Sequence, residues 1–201
     1  MNSLTYKLLR SLADGEFHSG EVMARDYGVS RASVWNALRG LDRVGIEIFK
    51  IRGRGYRLAQ PLTLLDRARI AHELGSHAAR FALEVLDETE STNTLLLRHA
   101  DDGAASGGVL VAEWQTQGRG RRGRVWHAMP GVALTFSLLW RFQQGAGYLA
   151  GLSLAVGIAV ARVLTAIGVP DAGLKWPNDV VWRGRKLAGI LIEMRGDVLG
   201  P

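Results

Sequence analysis

Residues 118–124 read GRGRRGR, four arginines and three glycines in seven positions, followed by Val125, Trp126 and His127. An arginine presents a planar fork of donors that fits carboxylate and phosphate, and glycine lets a backbone approach a ligand closely. The run therefore reads two ways: as a solvated basic loop touching nucleic acid non-specifically, or as a loop built to hold an anion. Neighbouring residues have to decide. Three other stretches carry polar and cationic groups at short spacing: Ser91-Thr92-Asn93, KWPND at 175–179, and RKLAGIL at 185–191. Cysteine is absent, which excludes disulfides, zinc–thiolate sites and thiol nucleophiles and fits a reducing compartment.

The 201 residues are 47% hydrophobic and 22% charged, a globular balance long enough for two packed cores. A formal charge of +6 and a pI near 10.2 favour an anionic partner, nucleic acid or nucleotide. Residues 1–60 hold ten Lys/Arg against six Asp/Glu and residues 61–201 fifteen against thirteen, so the front part is the more basic. The opening MNSLTYKLLRSLADGE has no apolar region with a cleavage site and no glycine after Met1, so a cytoplasmic protein without export or lipid-anchor signal is expected. Residues 142–161 are uncharged and approach the length of a membrane helix. Gln143, Gln144, Ser153 and several glycines argue against a span. Leu149, Leu152, Val156, Val160, Val163, Leu164 and Ile167 predict a buried core helix instead.

The elements that must position these groups begin with Leu4, Leu8, Leu9 and Leu12 at helical spacing, closed by Asp14-Gly15. A second helix is predicted over 20–27. Gly28-Val29-Ser30 then makes a tight turn whose serine caps a third helix over 31–44. Val34, Leu38 and Leu41 of that helix face inward, which leaves Arg31, Ser33, Asn36 and Arg39 toward a DNA groove. The run IEIFKIRGRGYRL alternates and breaks at Arg52-Gly53-Arg54-Gly55, as a basic hairpin wing does. Order and spacing predict a winged helix-turn-helix, with Arg52 and Arg54 on the wing and Trp35 as packing. Gln60-Pro61 marks the boundary of a 1–60 DNA-binding domain, and an apolar helix over 64–74 follows.

Residues 61–201 mix helices and strands. Extended segments are predicted at 81–86, 109–113, 132–140, 174–176, 180–182 and 187–194, with a helix over 92–99 and Arg183-Gly184-Arg185 as a hairpin turn. An α+β domain with a mixed sheet is the natural packing. The loop at 115–130 is too glycine-rich to pack by itself and is expected to be mobile when empty.

STN, GRGRxGR-x-W, KWPND and RKLAGIL stand here in one order. With the winged helix, they make the chain closely similar to the bifunctional biotin–protein ligase and biotin-operon repressor family of BirA type, over essentially its whole length. The resemblance implies a winged helix-turn-helix followed by a biotin/lipoate-ligase-like catalytic domain over 61–201. It also implies a two-step reaction: biotin and ATP give biotinyl-5′-adenylate and pyrophosphate, then a lysine of a biotin carboxyl carrier protein attacks the mixed anhydride. An arginine-dense lid would offset repulsion among these anions and exclude water. By the same resemblance Ser91, Thr92, Asn93 and Gln115 would bond the ureido end of biotin. Gly118 would allow close approach. Arg119 and Arg121 would hold the biotin carboxylate and adenylate phosphate, and Arg124 the ATP phosphates. Trp126 would cover adenine, and Lys175, Asn178 and Asp179 would hold the nucleotide or orient the cations. Lys186, with Gly189 beside it, would neutralise charge growing at the carboxylate and α-phosphate. Mg2+ is expected to ride on ATP, since no dedicated carboxylate cage is visible.

Two departures from the family pattern matter. The family continues past RKLAGIL with a GxGxN-type strand and an SH3-like domain, whereas this sequence stops at Gly200-Pro201, so an incomplete catalytic domain is expected. His127-Ala128-Met129 follows Trp126 where many relatives place serine or Ser-Pro. The implied partners are the carrier subunit of acetyl-CoA carboxylase, operator DNA and a second copy of the chain when liganded, with no membrane. The alternatives are a DNA-binding regulator with an inactive ligase domain, and lipoate or octanoate transfer on the same fold.

Overall fold

The computed structural model describes residues 2–143 and 146–196. The end at Gly200-Pro201 and Gln144 of the apolar run lie outside the described residues. By contact the chain forms two compact units. The first holds the residues up to Gly118 together with His127–Trp140. The second holds Arg119–Trp126 and the residues from Arg141 onward.

The first unit opens with three helices, α1 (Ser3–Ser11), α2 (Gly20–Asp26) and α3 (Arg31–Arg39). Each starts on a side chain that accepts an otherwise orphaned amide: Asn2, Ser19 and Ser30. Gly28 takes the left-handed conformation (φ +63°) that the tight turn before α3 requires. Leu8, Leu9, Leu12, Val34 and Leu41 are fully buried between the helices. The third helix stops at Gly40, short of the expected 44, and residues 41–44 form a 3-10 turn. Glycine is a weak helix former at that point, and the tighter turn still carries Leu41 into the core.

Strands β1 (Ile48–Ile51) and β2 (Gly55–Leu58) pair antiparallel, Ile48 opposite Leu58, with the basic turn between them. The hairpin is tied to the helices where His18 bridges Tyr56. Gly55 sits at φ +102°, and a β-carbon there would lie 1.9 Å from the His18 carbonyl oxygen.

After the wing, helix α4 (Arg67–Leu74) begins three residues later than expected, because Asp66 caps it by accepting from the Arg69 amide. Strand β3 (Ala82–Thr89), helix α5 (Thr92–Asp101) and strand β4 (Gly108–Gln115) form a βαβ unit, and β5 (Thr135–Leu138) pairs antiparallel with β4. The central β4 carries the buried Leu110, Val111 and Ala112. Helix α1 is bonded to β3: Arg10 donates to Asp87 at 2.7 Å and to the Leu65 carbonyl at 3.1 Å, and the Tyr6 hydroxyl to Glu88 at 3.3 Å. Burial first, then the Glu88 carboxylate, holds the Tyr6 phenol far above its ordinary range, so it stays a neutral donor.

The second unit is helix α6 (Leu152–Ala166) and an antiparallel sheet, β6 (Gly173–Lys175), β7 (Asp179–Trp182) and β8 (Arg185–Gly189), in the order β6-β7-β8. Arg183 and Gly184 make the two-residue hairpin turn, both at positive φ as that turn demands. Helix α6 corrects the expected buried core helix. Among its described residues only Gly157 is buried, whereas Ile158 and Val163 are 45% and 59% exposed. The helix packs on the sheet at Gly157, whose missing side chain admits Leu174 and Ile190. The last strand also ends at Gly189, short of the expected 194. No described helix is long and apolar enough to cross a membrane.

Gly55→Ala is expected to destabilise the chain by about 2 kcal/mol or more, since left-handed strain adds to a backbone collision. Gly53→Ala, at φ +81° with nothing near its added carbon, should lose about 1 kcal/mol. Urea unfolding of the two variants checks the difference.

Candidate functional site

The residues singled out for chemistry fall into two groups, one within each unit, and a separate basic face on the winged helix.

In the first unit the parallel register sets Thr89 opposite Gln115, so the carboxyl ends of β3 and β4 lie together and α5 starts beside them. Ser91 caps α5, accepting from the Thr94 amide at 3.4 Å. Gln115 points its carbonyl oxygen at Thr92, taking the backbone amide at 2.8 Å and the hydroxyl at 3.1 Å. The Ser137 hydroxyl lies 2.8 Å from Thr92 Oγ1 and also beside Asn93 Oδ1, and its single proton is shared between these two acceptors. Ser91, Thr92, Gln115 and Ser137 are buried, Asn93 is half-buried, and Gly118 is buried just beyond. Four of the expected residues thus meet in one polar cluster joining helix and strand.

Two residues of this region were missed. Ser137 reaches the cluster from β5. Glu113, only 1% exposed, accepts the amides of Leu65 and Gly131, the latter at 3.0 Å. A carboxylate in the otherwise apolar strand VLVAEWQ was its one available signal, since buried charges need such donors. Glu113 thereby ties the segment after the wing to the chain at Gly131. Met129 packs there too, against the winged-helix core beside Gly45. A cavity of about 390 Å³ lies at the opposite ends of β3 and β4, lined by Phe81, Leu83, Leu96, His99 and Leu139, and none of the expected site residues lines it.

In the second unit the arginine loop is a small closed hairpin. Arg119 bridges Val125, the Gly120 amide donates to the Arg124 carbonyl at 2.7 Å, and Arg122 turns the chain at φ +58°. Arg119 meets Glu193 through three contacts of 2.9–3.2 Å. Arg121 donates to Asn178 Oδ1 at 3.2 Å, and Lys186 pairs with Asp179 at 2.7 Å. The Lys186 ammonium also stands 5.1 Å from the Trp126 ring centroid, a cation–π distance. Gly189 leaves room for both: a β-carbon there would be 3.0 Å from Lys186 Nζ and 3.4 Å from Trp126. Lys175 lies opposite Asp179 on β6 and is exposed, as is Arg124. Glu193 was also missed: it lies two residues after the RKLAGIL motif and beyond the last strand, and its partner is 74 positions away. Arg119 and Lys186 pair with the carboxylates of Glu193 and Asp179, Arg121 meets a neutral amide, and Arg122, Arg124 and Lys175 are exposed, so these six cations outnumber the carboxylates paired with them.

On the winged helix, Arg31, Asn36 and Arg39 are exposed along α3, and Arg52 and Arg54 at the wing tip. Ser33 is half-buried and bonded to the capping Ser30. Trp35 stacks on Tyr56 at 6.3 Å and carries the Lys50 ammonium 4.1 Å from its ring.

Gln115→Leu removes the acceptor from two buried donors on Thr92, and a loss of about 1–3 kcal/mol in stability is expected from chemical denaturation.

The profile of the biotin/lipoate A/B protein ligase family matches residues 85–199, and an HTH domain profile matches residues 5–57. The bifunctional ligase/repressor BirA of Escherichia coli strain K12 is 40% identical over 195 residues, 97% of this chain and 59% of that protein. The biotin–[acetyl-CoA-carboxylase] ligase of Mycobacterium tuberculosis strain H37Rv is 45% identical over 146 residues, 69% of this chain and 53% of that protein. A biotin protein ligase from Aquifex aeolicus, solved with biotin and ATP, aligns with a TM-score of 0.49 and 37% identity over 57% of this chain and 47% of the other. The chain thus spans a little under three fifths of the length of the bifunctional relatives it matches. By its motifs and by the profile that covers more than half of it, the chain belongs to the biotin/lipoate A/B protein ligase family.

Proposed function

We propose that the chain joins biotin to ATP as biotinyl-5′-adenylate, passes biotin to a lysine of a carrier protein, and binds operator DNA through its winged helix. The observation that carries this reading is the gathering of Arg119, Arg121, Lys186 and Trp126 in one small unit. Cations and an indole face suit a carboxylate, a phosphate and a flat base. The names of the relatives, a ligase/repressor and a biotin ligase, support it.

In the first step a biotin carboxylate oxygen attacks the α-phosphorus, and the bond to the β-phosphate breaks as pyrophosphate leaves. Arg119 and Arg121 hold the two anions against their mutual repulsion, and Lys186, steered by Asp179, neutralises charge building on the α-phosphate. Arg124 and Lys175 meet the outer phosphates, Asn178 fixes Arg121, Trp126 covers adenine, and Gly189 keeps the space beside Lys186 open. Ser91, Thr92, Asn93 and Gln115 receive the ureido ring, and Gly118 lets the backbone come close to it. In the second step the carrier lysine, deprotonated, attacks the acyl carbon and AMP departs. No cluster of three His, Asp or Glu that could cage a metal exists among the described residues. Mg2+ carried by ATP would shield the charge of its phosphates.

On the DNA side, Arg31, Ser33, Asn36 and Arg39 read or flank the groove, and Arg52 and Arg54 meet the backbone. Residues 1–60 and 61–201 act as the DNA-binding and ligase modules, a second copy joins when the adenylate is bound, and the cytoplasm is the site of action.

Biotin-dependent ATP–pyrophosphate exchange tests the chemistry. The wild-type chain should exchange, and Lys186→Ala should lose roughly 100-fold or more at unchanged melting temperature. Exchange absent while operator-like DNA still binds would leave a regulator without ligation. Arg31→Ala should weaken DNA binding about fivefold or more in a fluorescence anisotropy titration and leave exchange unaltered.

A further inference from the structure

We infer that Glu193 is a positioning residue for the anion-holding fork of Arg119, an inference that rests on the ligase reading for what the fork finally holds. Three facts within the second unit converge on it. First, the pair is forked: Nε and Nη2 of Arg119 both approach Oε1 of Glu193, at 3.2 and 3.0 Å, and Nη2 approaches Oε2 at 2.9 Å. Planar guanidinium–carboxylate pairs of this kind fix orientation as well as distance.

Second, the segment bearing Glu193 is itself held. The Ile190 amide donates to the Asn178 carbonyl and the Asn178 side-chain amide donates to the Ile190 carbonyl, both at 2.9 Å. Third, the same Asn178 accepts from Arg121. The chain after β8 and the KWPND turn therefore form one bracket that grips the loop by two arginines, Arg119 through a carboxylate and Arg121 through an amide.

A carboxylate is the chemical twin of the group that Arg119 is proposed to receive from biotin. Glu193 holds the fork in a carboxylate-ready orientation before the ligand arrives. Capture of the anion becomes an exchange of partners and does not require ordering a long, otherwise mobile side chain, whose freezing opposes binding. The Lys186–Asp179 pair repeats the arrangement, a ligand-facing cation kept in place by a carboxylate of the same sheet.

The test uses the whole chain with Glu193→Gln and Glu193→Asp, and two readouts. Brief trypsin digestion of the unliganded protein, with mass analysis of fragments cut after Arg119, Arg121, Arg122 and Arg124, reports the grip on the loop. Cleavage should rise roughly two- to fivefold in the Gln variant, the range expected for loss of a partly exposed ion pair, and return toward wild type in the Asp variant. Biotin-dependent exchange should show a KM for biotin raised by a similar factor with kcat within about twofold. Unchanged cleavage at unchanged melting temperature overturns the inference, and so does a lowered KM, which would make Glu193 a competitor of the ligand. If the wild-type chain shows no exchange at all, the ligase reading falls, while the trypsin comparison still decides whether Glu193 holds Arg119.

Discussion

Four guanidiniums within seven residues repel one another, and the second unit is organised around keeping them close without neutralising them. At contact distances near a protein surface, like charges cost a few kcal/mol per pair. The loop spreads them by folding as a hairpin closed at Arg119 and Val125, with Arg122 at the tip in a left-handed turn. Neutral or singly charged partners then take up the groups nearest the sheet: Asn178 for Arg121, Glu193 for Arg119, Asp179 for Lys186. An amide in place of a third carboxylate leaves a surplus of positive charge, and that surplus is what an anionic ligand can use. Gly123, at φ +69°, takes the left-handed conformation that lets the chain turn back after Arg122.

The first unit answers a different constraint. A parallel pair needs a crossover, and the crossover helix α5 delivers its amino terminus to the strand ends. Free amides at that terminus require acceptors; Ser91 supplies one to Thr94 and Gln115 another to Thr92. The backbone's own demand for acceptors therefore concentrates polar side chains at the carboxyl end of β4, where the chain departs into the arginine loop. Glu113, two residues before Gln115 on the same strand face, meets the same demand from Leu65 and Gly131.

Local rules carried much of this into the sequence. Ser30 reads as a cap, Gly28 as a left-handed turn residue and Arg183-Gly184 as a hairpin, because each signal and its partner lie within a few positions. The winged-helix core was equally legible, since its leucines recur at 3.6-residue spacing. Failures occur where the partner is remote. Glu193 is 74 positions from Arg119, Ser137 is 45 from Thr92, and Glu113 is 48 from Leu65. Glu113 stands out as a carboxylate in an apolar strand, but nothing near any of the three names its partner. Helix α6 shows another limit: composition says that a segment is apolar, but not whether enough surface exists to cover it. Ile158 and Val163 are exposed among the described residues.

The polar cluster at Gln115 bears on why a ureido group would suit it. The carbonyl oxygen of Gln115 takes two hydrogen bonds from Thr92, which uses both of its lone pairs and fixes which end of the carboxamide is which. The other end is an NH2 group, a donor only. Thr92 donates its hydroxyl to Gln115 and accepts from Ser137, and a hydroxyl oxygen with one lone pair so engaged can accept once more. The cluster therefore combines a fixed donor with a fixed acceptor in a buried setting. A cyclic urea carries one carbonyl and two N–H groups, the complementary set. An analogue lacking those N–H groups would leave the buried Thr92 oxygen without that donor, and an unpaired buried polar group costs more than a small apolar contact returns.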